Sequence, residues 1–364
     1  MMLRIYCEVL TPNLGIDMHK TIAMFNHKGG VSKTTTTFNL GWMLAEQGKT
    51  VVMIDADPQC NLTGLVVDFA QAGDVDDFYQ ANPEQNIYTA LVPAFESKPE
   101  PIVAVPCVEV AGRRGLKLLP GHVNLSEYEV TLGIAQELSG TLQALRNLPG
   151  ATHYLLSEIA KAENADYVLI DMNPSLGAFN QNLLVTSDFF VVPTAPDYFN
   201  LMALKSLSSI LPKWIDWGLR AHAMPALANA AYPFPNPSLK LLGTIIQKYR
   251  PRKGAPTVGF QKWIDDINAV VHSDLVPSLE AVNATLDATA YSALSIENHC
   301  LAEIPDFNTL IALSQENQTP VFALSDEQLN AVGIVLDQQK AKRSEFQGIF
   351  STLATHVGGL TTDA

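Results

Sequence analysis

One stretch constrains this chain more than any other: Lys28-Gly29-Gly30-Val31-Ser32-Lys33-Thr34-Thr35. The apolar run Thr21–Phe25 before it reads as a buried strand. Thr36–Gln47 after it reads as a helix whose inner face carries Phe38, Leu40, Met43 and Leu44. Gly48 stops that helix, and Lys49–Asp57 returns as a second strand. Strand, glycine-rich turn, helix and strand make a βαβ unit, and the turn of such a unit is where phosphates bind. Two adjacent glycines let the backbone approach an anion, with the N–H groups of the turn and the helix start aimed at it. Lys33 adds a positive charge, and the Thr34 hydroxyl is placed to hold a divalent cation.

The usual phosphate-loop pattern, G-x-x-x-x-G-K-[ST], is not met, because His27 and Ser32 stand where its glycines belong. A second lysine, Lys28, instead precedes the glycine pair. This K-G-G-x-x-K-T-T run resembles the deviant Walker A of the ParA/MinD family of dimeric ATPases, which usually has glycine at the Ser32 position. The second strand ends Asp55-Ala56-Asp57-Pro58-Gln59-Cys60-Asn61-Leu62-Thr63. That resembles the family's D-x-D-P-Q-G-N-x-T, with Cys60 in place of glycine. Asp55 and Asp57 are two residues apart on one strand and so face the same way, at its C-terminal end. Further on, Tyr167-Val168-Leu169-Ile170-Asp171 is a buried strand ending in an acid, the Walker B pattern. Met172–Gly177 resembles the family's C-P-P-S-L-G, with Asn173 for the first proline. Asn124–Glu129, Ala195–Leu201 and Ile296–Phe307 resemble three more family segments in the same order.

The resemblance implies an α/β fold, a doubly wound, mostly parallel twisted sheet with helices on both faces. It implies ATP and Mg²⁺ as ligands. Gly29, Gly30, Val31, Ser32, Lys33, Thr34 and Thr35 would cradle the phosphates, and Thr34, Asp55 and Asp171 would serve the metal. Lys33 and Asp57 would act on the γ-phosphate and the attacking water, and Lys28 would reach the nucleotide of a second subunit in an ATP-bound homodimer. Lys248-Tyr249-Arg250-Pro251-Arg252 matches the family's M-Y-D-x-R at Tyr249 and Arg252, near the adenine, with Arg250 replacing the acid. The resemblance makes Asp197 and Tyr198 candidates for contacts near the dimer interface, with structural capping the safer reading of Asp197. Asn173 is placed to reach the γ-phosphate or the attacking water, with a plain turn an equal reading.

Net charge is −14 on 364 residues, which argues against a protein that coats nucleic acid or anionic membrane with its whole surface. From Leu239 to Ile264 no acid occurs, so Lys248, Arg250, Arg252 and Lys253 form a local basic patch able to contact DNA phosphates. Two arginines by which partitioning members bind nonspecific DNA are Glu297 and Cys300 here. Three functions follow: a partitioning ATPase that binds DNA nonspecifically and is stimulated by a protein activator, a switch acting on a protein partner (a cargo adaptor or an antiviral system), or a metabolic relative. The third lacks any cysteine cage, since Cys7, Cys60, Cys107 and Cys300 are scattered and fit thiols in a reducing cytoplasm. A cytoplasmic chain is expected, nucleoid-associated if it binds DNA. The tail after Gly358 is polar and not basic, which argues against membrane anchoring.

Residues 1–17 read either as an added edge strand or partner arm, or as an upstream start of little structural role. The ATPase domain is expected over 18–325, with an aromatic- and proline-rich insertion at 212–237. A C-terminal helix over Asp326–Leu353 and a tail complete the chain.

Overall fold

Runs such as Val51–Ile54, Val168–Ile170 and Phe190–Val192 have no polar face, so their strands need cover on both sides, as parallel strands do. The computed structural model describes residues 19–67, 75–138, 143–252 and 255–362. The N-terminal extension and Lys253 lie outside the described residues. Strands β1 (Lys20–Met24), β2 (Val51–Ala56), β3 (Val108–Glu109), β4 (Leu116–Leu119), β5 (Tyr167–Met172), β6 (Phe189–Thr194), β7 (Lys240–Tyr249) and β10 (Cys300–Pro305) make one eight-stranded sheet. Its order is β10-β7-β6-β1-β5-β2-β4-β3, and only β3 runs antiparallel to its neighbour. A two-stranded hairpin, β8 (Pro251–Arg252) and β9 (Ala255–Pro256), follows β7 directly. This is the doubly wound α/β sheet expected. β1 lies between β5 and β6, so the chain leaves it to build the sheet in both directions. Ligands of open α/β sheets bind at the carboxyl ends of the strands around such a switch.

Two cores cover the two faces. On one, Phe38, Leu40, Trp42, Met43 and Leu44 of the helix Lys33–Glu46 pack with Phe346, Phe350, Leu353 and Val357 of the helix Gly333–Thr362. The other core holds Leu155 and Ile159 of the helix Leu148–Glu163, with Leu204, Leu211 and Trp214 of the helix Tyr198–His222.

Two element boundaries differ from the sequence reading. The stretch 212–237 is not one unit. Residues up to His222 continue the helix begun at Tyr198, through Pro212, and Trp214 is buried against Phe25 with ring centroids 5.7 Å apart. The residues after it form a short helix, Pro225–Ala228, and then irregular chain, packed on the helix Leu148–Glu163 through Tyr154 and Tyr232. The C-terminal helix begins at Gly333 and runs through Gly358 and Gly359 to Thr362. Tertiary packing outweighs the glycine penalty there. A Cβ at Gly359 would stand 2.8 Å from Leu294, and the buried Thr361 shares a 2.9 Å hydroxyl hydrogen bond with Tyr167. The basic cluster on this helix is spent on ion pairs: Lys340 and Arg343 with Asp326, and Lys342 with Glu345.

A Cβ at Gly150 would fall 2.1 Å from the Tyr232 carbonyl and 2.7 Å from that of Pro233, backbone atoms that cannot swing aside. Gly150→Ala should therefore cost about 1–3 kcal/mol of stability in denaturant melts. Gly259→Ala, with nothing within 4 Å of the new methyl, should stay within about 0.5 kcal/mol of the parent.

Candidate functional site

The loop after β1 is held at its base by Asn26. This fully buried amide donates to Pro193 O of β6 at 2.8 Å and accepts from Lys28 N at 2.9 Å. The loop then turns through two left-handed residues, Gly30 (φ 76°) and Ser32 (φ 57°), before the helix starts at Lys33. The serine-for-glycine departure thus falls where the backbone favours glycine. Cys60 repeats the pattern at the start of the helix Asn61–Val66, with φ 53° where the family has glycine.

Lys33 is buried and curls back into the loop, donating to Asn26 O at 2.9 Å and Lys28 O at 3.3 Å. Burial lowers its pKa, while the charges of Asp171 and Asp57 act the other way. Asp55 and Asp171 are register partners at the ends of adjacent strands β2 and β5, both wholly buried. Asp171 Oδ2 has no hydrogen-bond partner. Burial and the Asp55 charge push its pKa well above the usual range, and the Thr34 hydroxyl and Lys33 pull it back. A buried carboxylate oxygen left bare beside a threonine hydroxyl, in a loop shaped for phosphate, fits a hard cation completed by phosphate oxygens. The described residues include no cluster of three His, Cys, Asp or Glu that would cage a metal without such help.

The structure gives Asp55 internal partners instead of an open position. Its Oδ2 accepts from Thr63 N (2.8 Å) and Thr63 Oγ1 (2.6 Å), and its Oδ1 accepts from Asp57 N at 3.2 Å. Burial raises its pKa to about 6. Thr63 Oγ1 in turn accepts from Gly121 N at 2.9 Å, so Asp55 braces the loop after β2 against the one after β4. Asp57 is the acid that reaches the cavity, with Oδ1 accepting from Gln59 N at 2.9 Å. Asn173 turns inward, its carbonyl and side-chain oxygens both accepting from Asn180 at 2.9 Å. Asp197 caps the helix Tyr198–His222 by accepting from Asn200 N at 2.8 Å. Lys28 extends over the ring of Phe199, its amine 5.0 Å from the centroid, and that ring is 66% exposed.

The cavity these groups share measures about 400 Å³ and runs from Gly29–Thr35 to Asp57, Asn61 and Pro174. Its far wall holds Lys248 and Gln315. Sequence reasoning missed Asn26 and Gln315, and it set Lys248 with the DNA patch. Tyr249 is buried at the end of β7, its hydroxyl pushed up to about 12 by burial first and Glu303 second, and it does not line the cavity. Arg252 lies on β8, its side chain outside the described residues, and Arg250 is exposed. A larger groove of about 680 Å³, lined by Lys98, Arg146, Tyr154 and Tyr232 among others, shares no residue with the loop.

A buried lysine, a left-handed glycine loop and a bare strand-end aspartate meet on a doubly wound sheet, a set whose chemistry suits a nucleoside polyphosphate. Residues 19–216 match the family model described as an AAA domain. The chain is 31% identical over 234 residues to the chromosome-partitioning ATPase Soj of Thermus thermophilus, covering 64% of this chain and 71% of that one. It is 32% identical over 235 residues to an uncharacterised protein of Mycobacterium tuberculosis, covering 64% of this chain and 59% of the relative's length. A Corynebacterium diphtheriae protein, DIP2308, shares the fold with a TM-score of 0.66 at 21% identity, over 95% of this chain and 100% of that one. The chain belongs to the ParA/MinD family of deviant Walker A P-loop ATPases.

Left-handed backbone costs a non-glycine residue about 1–2 kcal/mol, and the larger unfolded-state freedom of glycine offsets part of the gain. Ser32→Gly and Cys60→Gly should each raise thermal stability by about 0.5–1 kcal/mol, read by calorimetry on the nucleotide-free protein.

Proposed function

We propose that the chain is an ATP-dependent dimeric switch that hydrolyses ATP slowly, binds DNA without sequence preference in its ATP state, and is stimulated by a protein activator, as in plasmid or chromosome partitioning. The observation that carries the nucleotide part is the unpartnered Asp171 oxygen beside Thr34, facing the loop that Lys33 threads. In this reading, Lys33 and the N–H groups of Gly29–Thr35 hold the phosphates. Thr34 and Asp171 hold Mg²⁺, with Asp55 steadying the loop behind them. Magnesium, when bound, offsets the charge of the phosphate oxygens. Asp57 orients water in line with the γ-phosphate. Lys28 leaves Phe199 and meets the nucleotide of the second subunit. Tyr249 and Arg252 belong to the adenine side.

Hydrolysis is then linked to dimerisation, because a cation delivered in trans can supply about 10³–10⁵ in rate. ATP holds the dimer and its loss releases it. The partitioning role draws on the likeness to Soj and on the exposed Arg250 beside the β8–β9 hairpin. One observation favours a protein partner instead. The helix Glu127–Leu138 exposes Val130, Ile134 and Leu138 along one stripe, at 68%, 46% and 42%. Among the described residues no helix is long and apolar enough to cross a membrane.

Lys33→Ala should weaken Mg-ATP binding by about 10²-fold, the scale of charge-assisted hydrogen bonds lost from a buried site. Lys28→Ala should keep ATP binding and lose about 10³-fold in turnover. Retained affinity in the first, measured by calorimetry, or normal phosphate release in the second, would contradict these roles. The partitioning reading is tested with Asp57→Ala protein and a random-sequence duplex, in Mg-ATP against Mg-ADP at two salt concentrations. ATP-dependent, salt-sensitive binding is expected. No binding by a protein shown to be dimeric moves the function to a protein partner.

A further inference from the structure

The end of β7 brings a lysine to the phosphate loop that neither the motif nor the resemblance assigns there. Gln247 and Tyr249 are buried, and Gln247 Nε2 donates to Thr36 Oγ1 at 2.7 Å, fixing the strand end to the first helix. Lys248 stands between them with its side chain on the open side and its backbone left-handed, φ 62°. L residues adopt that conformation at a cost, and they hold it where the surroundings demand it. Here the side chain turns back across the cavity, and Nζ donates to Gly30 O at 2.6 Å. The contact spans 218 residues of sequence. Gly30 has nothing within 4 Å of where a Cβ would stand, so the loop leaves room on that side.

The cavity therefore has two lysines in its wall, Lys33 from below and Lys248 from the rim, with Asp57 the one acid among its lining residues. An ammonium on a four-carbon stem has three donors and can bond more than one acceptor at once. A phosphate oxygen is a stronger acceptor for it than a carbonyl, because both partners are charged. At the open rim the amine keeps its access to water, so binding an anion there requires little desolvation.

We infer that Lys248 is a nucleotide-binding residue: one donor holds the Gly30 carbonyl and fixes the loop, and another bonds the polyphosphate. The inference rests on the reading of this cavity as an ATP site. It also divides the basic patch in two. Lys248 serves the nucleotide, and Arg250, two residues on, is free to face an outside partner. Position 248 holds methionine in the family pattern, so this cation belongs to the present chain.

The test is calorimetric titration of Mg-ATP into wild-type, Lys248→Met and Lys248→Arg proteins at two salt concentrations, with melting temperatures of the nucleotide-free proteins alongside. Lys248→Met should raise Kd about tenfold, the loss of one charge-assisted hydrogen bond, and flatten its salt dependence. Lys248→Arg should stay within about threefold of wild type, and the melting temperatures should agree. Wild-type affinity in Lys248→Met overturns the role. So does an equal loss in both variants, or a loss with unchanged salt dependence, since either marks a support for the loop and not a charge on the ligand. A wild-type protein that binds no nucleotide overturns the ATP reading itself, whereas binding by wild type with an unaffected Lys248→Met variant overturns only the part given to Lys248.

Discussion

Burial of like charges at the ends of two neighbouring strands is the constraint from which the site follows. Asp55 and Asp171 share a register position and are both buried, an arrangement that opposes ionisation of both. The chain resolves it unevenly. Asp55 receives three internal hydrogen bonds, two from Thr63 and one from the Asp57 backbone, and becomes part of the frame. Asp171 keeps one oxygen without a hydrogen-bond partner, with the Thr34 hydroxyl and the Lys33 charge beside it. The two acids differ only in what surrounds them.

That division shows how much the sequence could tell. Both aspartates stand at the end of an apolar run, so both read as metal ligands. Nothing in the spacing marks Thr63, eight residues beyond Asp55, as the residue that bonds one of them and not the other. The sheet itself was readable because its strands are long, apolar and punctuated by turns, a pattern that admits few folds. Phosphate-loop residues were readable for the same reason, since their order along the chain is also their order in space.

What escaped is what the chain brings in from far away or decides by packing. Lys248 looked like part of a basic patch, because linear charge density cannot show that its side chain bonds the Gly30 carbonyl. The helix through Pro212 and the one through Gly358–Gly359 outlast their local signals. Trp214 in one case, and Leu294 and Tyr167 in the other, supply contacts that propensity does not count. Ser32 and Cys60 stand where glycine is usual, and each keeps the glycine conformation. A substitution in the motif therefore did not signal a change in the path of the backbone.

The last helix has a mechanical consequence. It lies across the helix that starts at Lys33, and Phe346, Phe350 and Leu353 close the space behind Phe38 and Leu44. The helix that begins at Lys33 is thus clasped between the sheet and the last helix. The parts outside this clasp are the turn at Asp57–Cys60, the turn at Asn173–Gly177, and the strand end at Lys248 with its hairpin. All three border the same 400 Å³ cavity or adjoin it in sequence.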